Sequence, residues 1–292
     1  MSVVDDQEKC YEIMQFYNRI NGLNMFIDKD DINDQNNEMI FNELLRSLLK
    51  CNIDEPSVDQ FPFMERSEIL KFVKFFYSDL FSGKYDDYIK QYQDNTILDG
   101  KLSWDRSYFN YKSSNHKLYF RSIIMGDLSH LSSVALNAHE NMHGLVYLNQ
   151  LENRYNYSYN ELLPRFIENV CINKLRIHGY GDIEKNFNLF LNYHNRRYAE
   201  TYIDSTNLLK AGYNDPISSK IWDYSADMTY IYIISMIYGT RLYECYLDSP
   251  REVVNEVDNV IQGNIRISDV LNKFDINLGN SDTVKAFQKT LK

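Results

Sequence analysis

The chain has 292 residues and is 44% hydrophobic, which is enough for a sizeable core in one large domain or two small ones. Its net charge of -10 argues against nucleic-acid binding, which needs a basic stripe, and no apolar run approaches the roughly 18 residues that cross a membrane. The N-terminus lacks the basic start and apolar stretch of a secretory signal, and the four cysteines include no C-x-x-C pair, so we expect a cytoplasmic protein with free thiols.

The first part of the chain is predicted to be helical, because apolar residues recur at intervals of three and four and proline and glycine are scarce. Helices are expected at about 6–21 and 38–50, with an exposed acidic loop at 28–37 between them. Two more are expected from Ser67 and at about 85–93.

The composition then changes to tyrosine, phenylalanine and isoleucine in partial alternation. This pattern predicts one or two strands, at 107–111 and 118–125, in one small β-sheet. Helical spacing resumes afterwards, and Pro164 suits the first turn of a helix. The later helices are predicted at about 131–150, 164–178, 183–208, 219–246, 251–261 and 267–273.

The helix at about 131–150 contains the pattern H-E-x-x-H, as His139, Glu140 and His143. Residues four apart lie on one face of a helix, so both histidines can offer an imidazole nitrogen to one metal ion. Glu140 lies beside them and can act on a water bound to that metal. The pattern is the signature of zinc peptidases.

A catalytic zinc site needs a third protein ligand, and the next helix carries two candidates. Glu161 and Glu168 are seven residues apart and therefore share a helix face. One can bind the metal, while the other holds a ligand histidine by its second ring nitrogen. Apolar residues flank the motif on both sides, which predicts a buried helix where unpartnered His and Glu would be costly. A metal supplies that partner; a satisfied polar cluster in the core is the alternative.

Several segments, in the same order along the chain, resemble the oligoendopeptidase F and thimet oligopeptidase family of zinc metallopeptidases. ELLPRFIEN resembles the family's E-L-P-S-Q-F-x-E-N, and a late helix carries paired tyrosines as the family's does. The resemblance covers about 67–292. Its segments are DLSHLSSVALNAHENMHGL (127–145), ELLPRFIEN (161–169), YIYIISMIYG (230–239), a segment upstream of the sheet (69–101) and the C-terminal tail (267–291).

The resemblance implies hydrolysis of peptide bonds, in short oligopeptides, by a zinc-dependent enzyme. It implies zinc held by His139, His143 and Glu161, with Glu140 as the general base. Tyr232 would donate a hydrogen bond to the developing oxyanion.

Two assignments stay open within the resemblance. Glu168 lies nearer the family's usual distance from the motif, and Tyr230 is the other tyrosine of the pair. Met142 replaces the family's glycine, and Lys220 stands where family members carry a substrate-contacting histidine. A zinc-binding protein with weak or no catalysis is therefore an alternative, as is a protease for one chosen protein.

The implied fold is a zincin-like core of packed helices, with one small β-sheet preceding the H-E-x-x-H helix. We expect an N-terminal helical segment, 1–66, packed on a catalytic domain, 67–292. The large N-terminal part that walls the family's substrate channel is mostly missing from this chain, so a partner or a homo-oligomer can supply that wall. The expected partner is a peptide substrate, with no nucleic acid and no membrane.

Overall fold

A computed structural model of the chain describes residues 35–51, 62–94, 96–98, 106–112, 117–125, 131–149, 159, 161–180, 183–210 and 216–291. Within these ranges the chain is mainly helical, as the sequence predicted. The helix predicted at 6–21 lies outside the described residues. None of the described helices combines the length and apolarity needed to cross a membrane.

The described helices lie close to the predicted positions, with two corrections. The acidic loop predicted at 28–37 is too long, because the first described helix already begins at Gln35. A helix also follows the two that were predicted to close the chain. The described helices are α1 (Gln35–Lys50), α2 (Arg66–Leu80), α3 (Asp86–Asp94), α4 (Ser132–Asn149), α5 (Leu162–Ile177), α6 (Ile183–Lys210), α7 (Pro216–Asp248), α8 (Pro250–Ile261), α9 (Ile267–Lys273) and α10 (Ser281–Thr290).

Helix α10 is short; apolar spacing did not predict it, whereas the resemblance of the C-terminal tail implied a last helix. The side-chain oxygen of Asn280 accepts a hydrogen bond from the backbone N–H of Asp282, at 2.8 Å. This cap satisfies one of the N–H groups that the first turn of a helix leaves without an internal partner. Phe287 then anchors the helix in the core.

Three strands lie between α3 and α4: β1 (Thr96–Leu98), β2 (Arg106–Lys112) and β3 (Lys117–Met125). Strand β3 is central, parallel to β1 and antiparallel to β2, with a register irregularity between Tyr108 and Phe109 of β2. The spacing of apolar residues did not predict β1. Helix α4 packs against β3 and β2, so the sheet covers one side of the helix that carries the H-E-x-x-H motif.

Helix α7 organises the helical core, since it packs against α5, α6, α8 and α10. Helix α1 packs against α6, and Phe41 of α1 lies against the rings of Tyr202 and Tyr230, at centroid distances of 5.6 and 5.5 Å. The buried side chains of α1, α4, α5 and α7 belong to one apolar cluster. A domain division at residue 66 stays a prediction, although α1 shares this core.

Candidate metal centre

The H-E-x-x-H motif lies on a helix that is enclosed on nearly every side. Helix α4 packs against α2, α5 and α8 as well as the sheet, and its motif side chains His139, Glu140 and His143 are buried. The hydroxyl of Tyr77, on α2, donates a 2.7 Å hydrogen bond to the backbone carbonyl of Ala138. This bond ties α2 to the turn of α4 that presents the first histidine.

Three ligand-type atoms from α4 and the start of α5 come together in this enclosed region. The Nε2 atoms of His139 and His143 are 3.0 Å apart. Oε2 of Glu161 lies 3.1 Å from the first of these nitrogens and 3.4 Å from the second. Glu161 is the residue immediately before α5, so the packing of α5 on α4 brings its carboxylate to the imidazole pair.

This triangle of atoms fits a tetrahedral cation. Zinc bound at about 2.0–2.1 Å by imidazole and carboxylate places its ligand atoms about 3.3 Å apart, close to the separations found here. Oε2 of Glu161 is buried and, among the described residues, makes no hydrogen bond of good geometry, despite its short distances to both nitrogens. His139, His143 and Glu161 also form a group of buried potential ligands whose atoms all lie within 4.8 Å of one another.

A second carboxylate, Glu168 on α5, lies behind the first histidine. Its Oε1 is 2.9 Å from Nδ1 of His139, on the opposite side of the ring from the atom that faces Glu161. Nη1 of Arg165 donates to both oxygens of Glu168, at 3.0 and 2.8 Å. The sequence left Glu161 and Glu168 as alternatives; the structure places them on the two ring nitrogens of one histidine.

The buried histidine and glutamates favour one another's charged forms. Burial alone would lower the pKa of His139, but the carboxylates of Glu168 and Glu161 outweigh it and raise that pKa to about 10. Burial alone would raise the pKa of Glu161, but His143 and His139 hold it well below its usual range. Burial also opposes ionisation of Glu168, whose pKa is nevertheless lowered by Arg165 and His139. A metal ion entering this site competes with protons for the same ligand atoms.

The two candidate tyrosines occupy different environments on α7. Tyr230 is fully buried and contacts the ring of Phe41, as a core side chain does. Tyr232 is half-buried, and its ring stacks on that of Tyr198 with centroids 4.5 Å apart and planes at 8°. The role of Tyr232 as oxyanion donor stays a prediction.

Sequence reasoning missed two residues at this site, Arg165 and Tyr198. Burial raises the pKa of the Tyr198 hydroxyl, which also lies in the electric field of Arg165, Glu161 and Glu168. Arg165 could have been noticed, because it precedes Glu168 by three residues on a predicted helix, a spacing at which opposite charges meet. No comparable signal marks Tyr198, whose helix is far from the motif in sequence.

No protein-family model matches the chain. No curated protein matches its sequence. Two crystal structures share its fold. A candidate oligoendopeptidase F from Bacillus anthracis str. Ames is 12% identical, with a TM-score of 0.63, over 91% of this chain and 56% of that one. A candidate peptidase from Chlamydophila abortus is 13% identical, with a TM-score of 0.51, over 87% of this chain and 55% of that one. The chain thus spans little more than half the length of either.

Proposed function

We propose that the protein is a zinc-dependent metallopeptidase that hydrolyses peptide bonds. The observation that carries this proposal is the meeting of His139, His143 and Glu161 at one buried point beside Glu140. The fold shared with a candidate oligoendopeptidase F supports it. A zincin-like core, with the small sheet leading into the H-E-x-x-H helix, is part of the same proposal.

Within this proposal Glu161 is the third zinc ligand and Glu168 orients His139. Oε2 of Glu161 approaches the Nε2 atoms of both histidines, whereas both oxygens of Glu168 are already engaged by Arg165. Contact of Glu168 with Nδ1 of His139 would leave the Nε2 atom of that ring available to bind the metal, which is the usual outer arrangement of a zinc histidine.

Zinc bound by these residues would supply Lewis-acid activation of the substrate carbonyl and of a water molecule. Glu140 would accept a proton from the attacking water and deliver it to the nitrogen of the leaving amine. The peptide bond between carbonyl carbon and nitrogen breaks, giving a carboxylate and a protonated amine. Tyr232 would donate a hydrogen bond to the carbonyl oxygen as negative charge develops there.

The expected substrates are short oligopeptides. The alternative function is a protease that acts on one particular protein. Such an enzyme would cleave that protein at one site and would not cleave short peptides.

The direct test is Glu140→Gln, measured with fluorogenic peptides and by zinc content. We expect one zinc per chain in both proteins and a loss of turnover of about 10²-fold or more in the variant. Wild-type turnover by the variant would refute the mechanism. Full zinc occupancy without cleavage of any peptide in a diverse library would instead identify a zinc-binding protein that does not hydrolyse peptides.

A further inference from the structure

We propose that Arg165 is a positioning residue for the metal centre, which acts on His139 through Glu168. The inference rests on the proposed function, because it assumes that His139 binds a metal. It adds a residue whose contact is with Glu168 and not with the candidate ligand atoms. Arg165, Glu168 and His139 form an unbroken chain of short contacts that ends at the ligand nitrogen.

The contacts define how Arg165 acts. A single nitrogen, Nη1, lies within 3.0 Å of both oxygens of Glu168, so the guanidinium opposes rotation of the whole carboxylate. Glu168 is completely buried, so removal of that donor would leave its carboxylate short of a charge-assisted hydrogen bond. The carboxylate held in this way keeps Oε1 at 2.9 Å from Nδ1 of His139.

The packing around Arg165 holds its own position. Its side chain is 11% exposed, and its stem lies under α7 at Gly239, where an added Cβ would be only 3.0 Å from Cβ of Arg165. Behind the Arg165–Glu168 pair is a cavity of about 20 Å³ lined by these two residues and by four asparagines, among others. Its size suits about one water molecule. Nε of Arg165 makes no hydrogen bond to any described residue.

The contacts of Arg165 allow a hydrogen-bonding role to be distinguished from a steric one by substitution. The stem could be replaced by methionine, which fills a similar volume, but only a nitrogen donor restrains Glu168. Because one nitrogen contacts both carboxylate oxygens, lysine should substitute in part, even though it lacks the planar guanidinium. Partners in the outer layers of zinc sites change metal affinity by about 10–100-fold when removed.

The test compares Arg165→Met and Arg165→Lys with the wild-type chain by zinc competition against a chelator and by the absorption spectrum of the cobalt-substituted protein. Arg241→Met is the matched control, because Arg241 contacts Glu244 at 3.3 Å with the same three-residue spacing on α7. We expect zinc affinity to fall about tenfold or more in Arg165→Met, with a shifted cobalt spectrum, and to change less than about threefold in Arg165→Lys and in Arg241→Met.

The other outcomes would refute either the positioning role of Arg165 or the proposed function. Equal zinc affinity in Arg165→Met and wild type would overturn this inference and leave the proposed function standing. Loss of zinc affinity in Arg165→Lys equal to that in Arg165→Met would also overturn it. A wild-type chain that binds no zinc would refute the proposed function itself. Unfolding of the metal-free proteins distinguishes the positioning role of Arg165 from a structural one. If Arg165 were only structural, Arg165→Met would lower the free energy of unfolding but leave the cobalt absorption spectrum unchanged.

Discussion

The contact between α7 and α5 at Gly239 predicts that a single added methyl group disturbs the candidate metal centre. An ideal Cβ at this position would lie 3.0 Å from Cβ of Arg165, 3.1 Å from the carbonyl oxygen of Leu162 and 3.2 Å from the backbone nitrogen of Phe166. Two of these three neighbours are backbone atoms of α5. Gly239→Ala therefore requires the helix that follows Glu161 to move away from α7 by a few tenths of an ångström.

Two opposing effects determine how Gly239→Ala changes the free energy of unfolding. Alanine stabilises a helix interior by about 1 kcal/mol relative to glycine. Overpacking a close contact costs about 1–3 kcal/mol, and a rigid backbone neighbour favours the upper part of that range. The net expectation for Gly239→Ala is a loss of about 1–2 kcal/mol in the free energy of unfolding, which lowers Tm by roughly 2–3 °C in a chain of this size.

The assay combines denaturant unfolding of the chelated protein with zinc competition. We expect zinc affinity to fall about tenfold, because the displaced helix carries Glu168 and begins immediately after Glu161, the two carboxylates that face His139. Gly279→Ala is the control: the atom nearest its Cβ is the flexible end of Asn277, at 3.2 Å, so stability and zinc affinity should stay near wild type. A Gly239→Ala protein with raised Tm and unchanged zinc affinity would refute the reasoning.

Three further predictions concern stability. Zinc at 100 times its Kd should add about 2.7 kcal/mol to the free energy of unfolding, and the gain should vanish in Glu161→Ala; an equal gain in that variant would contradict the assigned ligand. Tyr77→Phe should lose about 1 kcal/mol in urea unfolding, since it removes the bond to the carbonyl of Ala138, whereas Tyr180→Phe, at an exposed position, should change little. Phe41→Ala should cost about 3–5 kcal/mol by the same measurement, because the ring is buried against two tyrosines; a loss below 1 kcal/mol would show that α1 is not part of the core.

The local features of the site could be predicted from the chain itself. The spacing of His139 and His143 places both imidazoles on one helix face whatever surrounds that helix, because the period of an α-helix is a property of the backbone. Apolar spacing located most helices for the same reason. It failed at α10, a short helix whose buried face carries one large apolar side chain, Phe287, beside the smaller Thr283 and Ala286.

The assignment of the carboxylates depended on how α5 packs on α4. Glu161 and Glu168 have the same chemistry and lie on the same segment, so the sequence offered both as ligands. The docking of α5 places Glu161 at the Nε2 atoms and Glu168 at Nδ1 of His139. Which oxygen reaches which nitrogen is decided by ångström-scale distances between two helices, and no short-range pattern encodes those distances.

The sequence by itself determined the helical class, the position of the H-E-x-x-H helix and the paired imidazoles, since these follow from periodicity within one element. Tertiary structure alone decided which carboxylate lies at which nitrogen of His139, the contact of Arg165 with Glu168 and the stacking of Tyr198 on Tyr232. The physical reason is that hydrogen bonds and ring contacts require separations of about 3–5 Å, which residues distant in sequence reach only through the packing of whole helices.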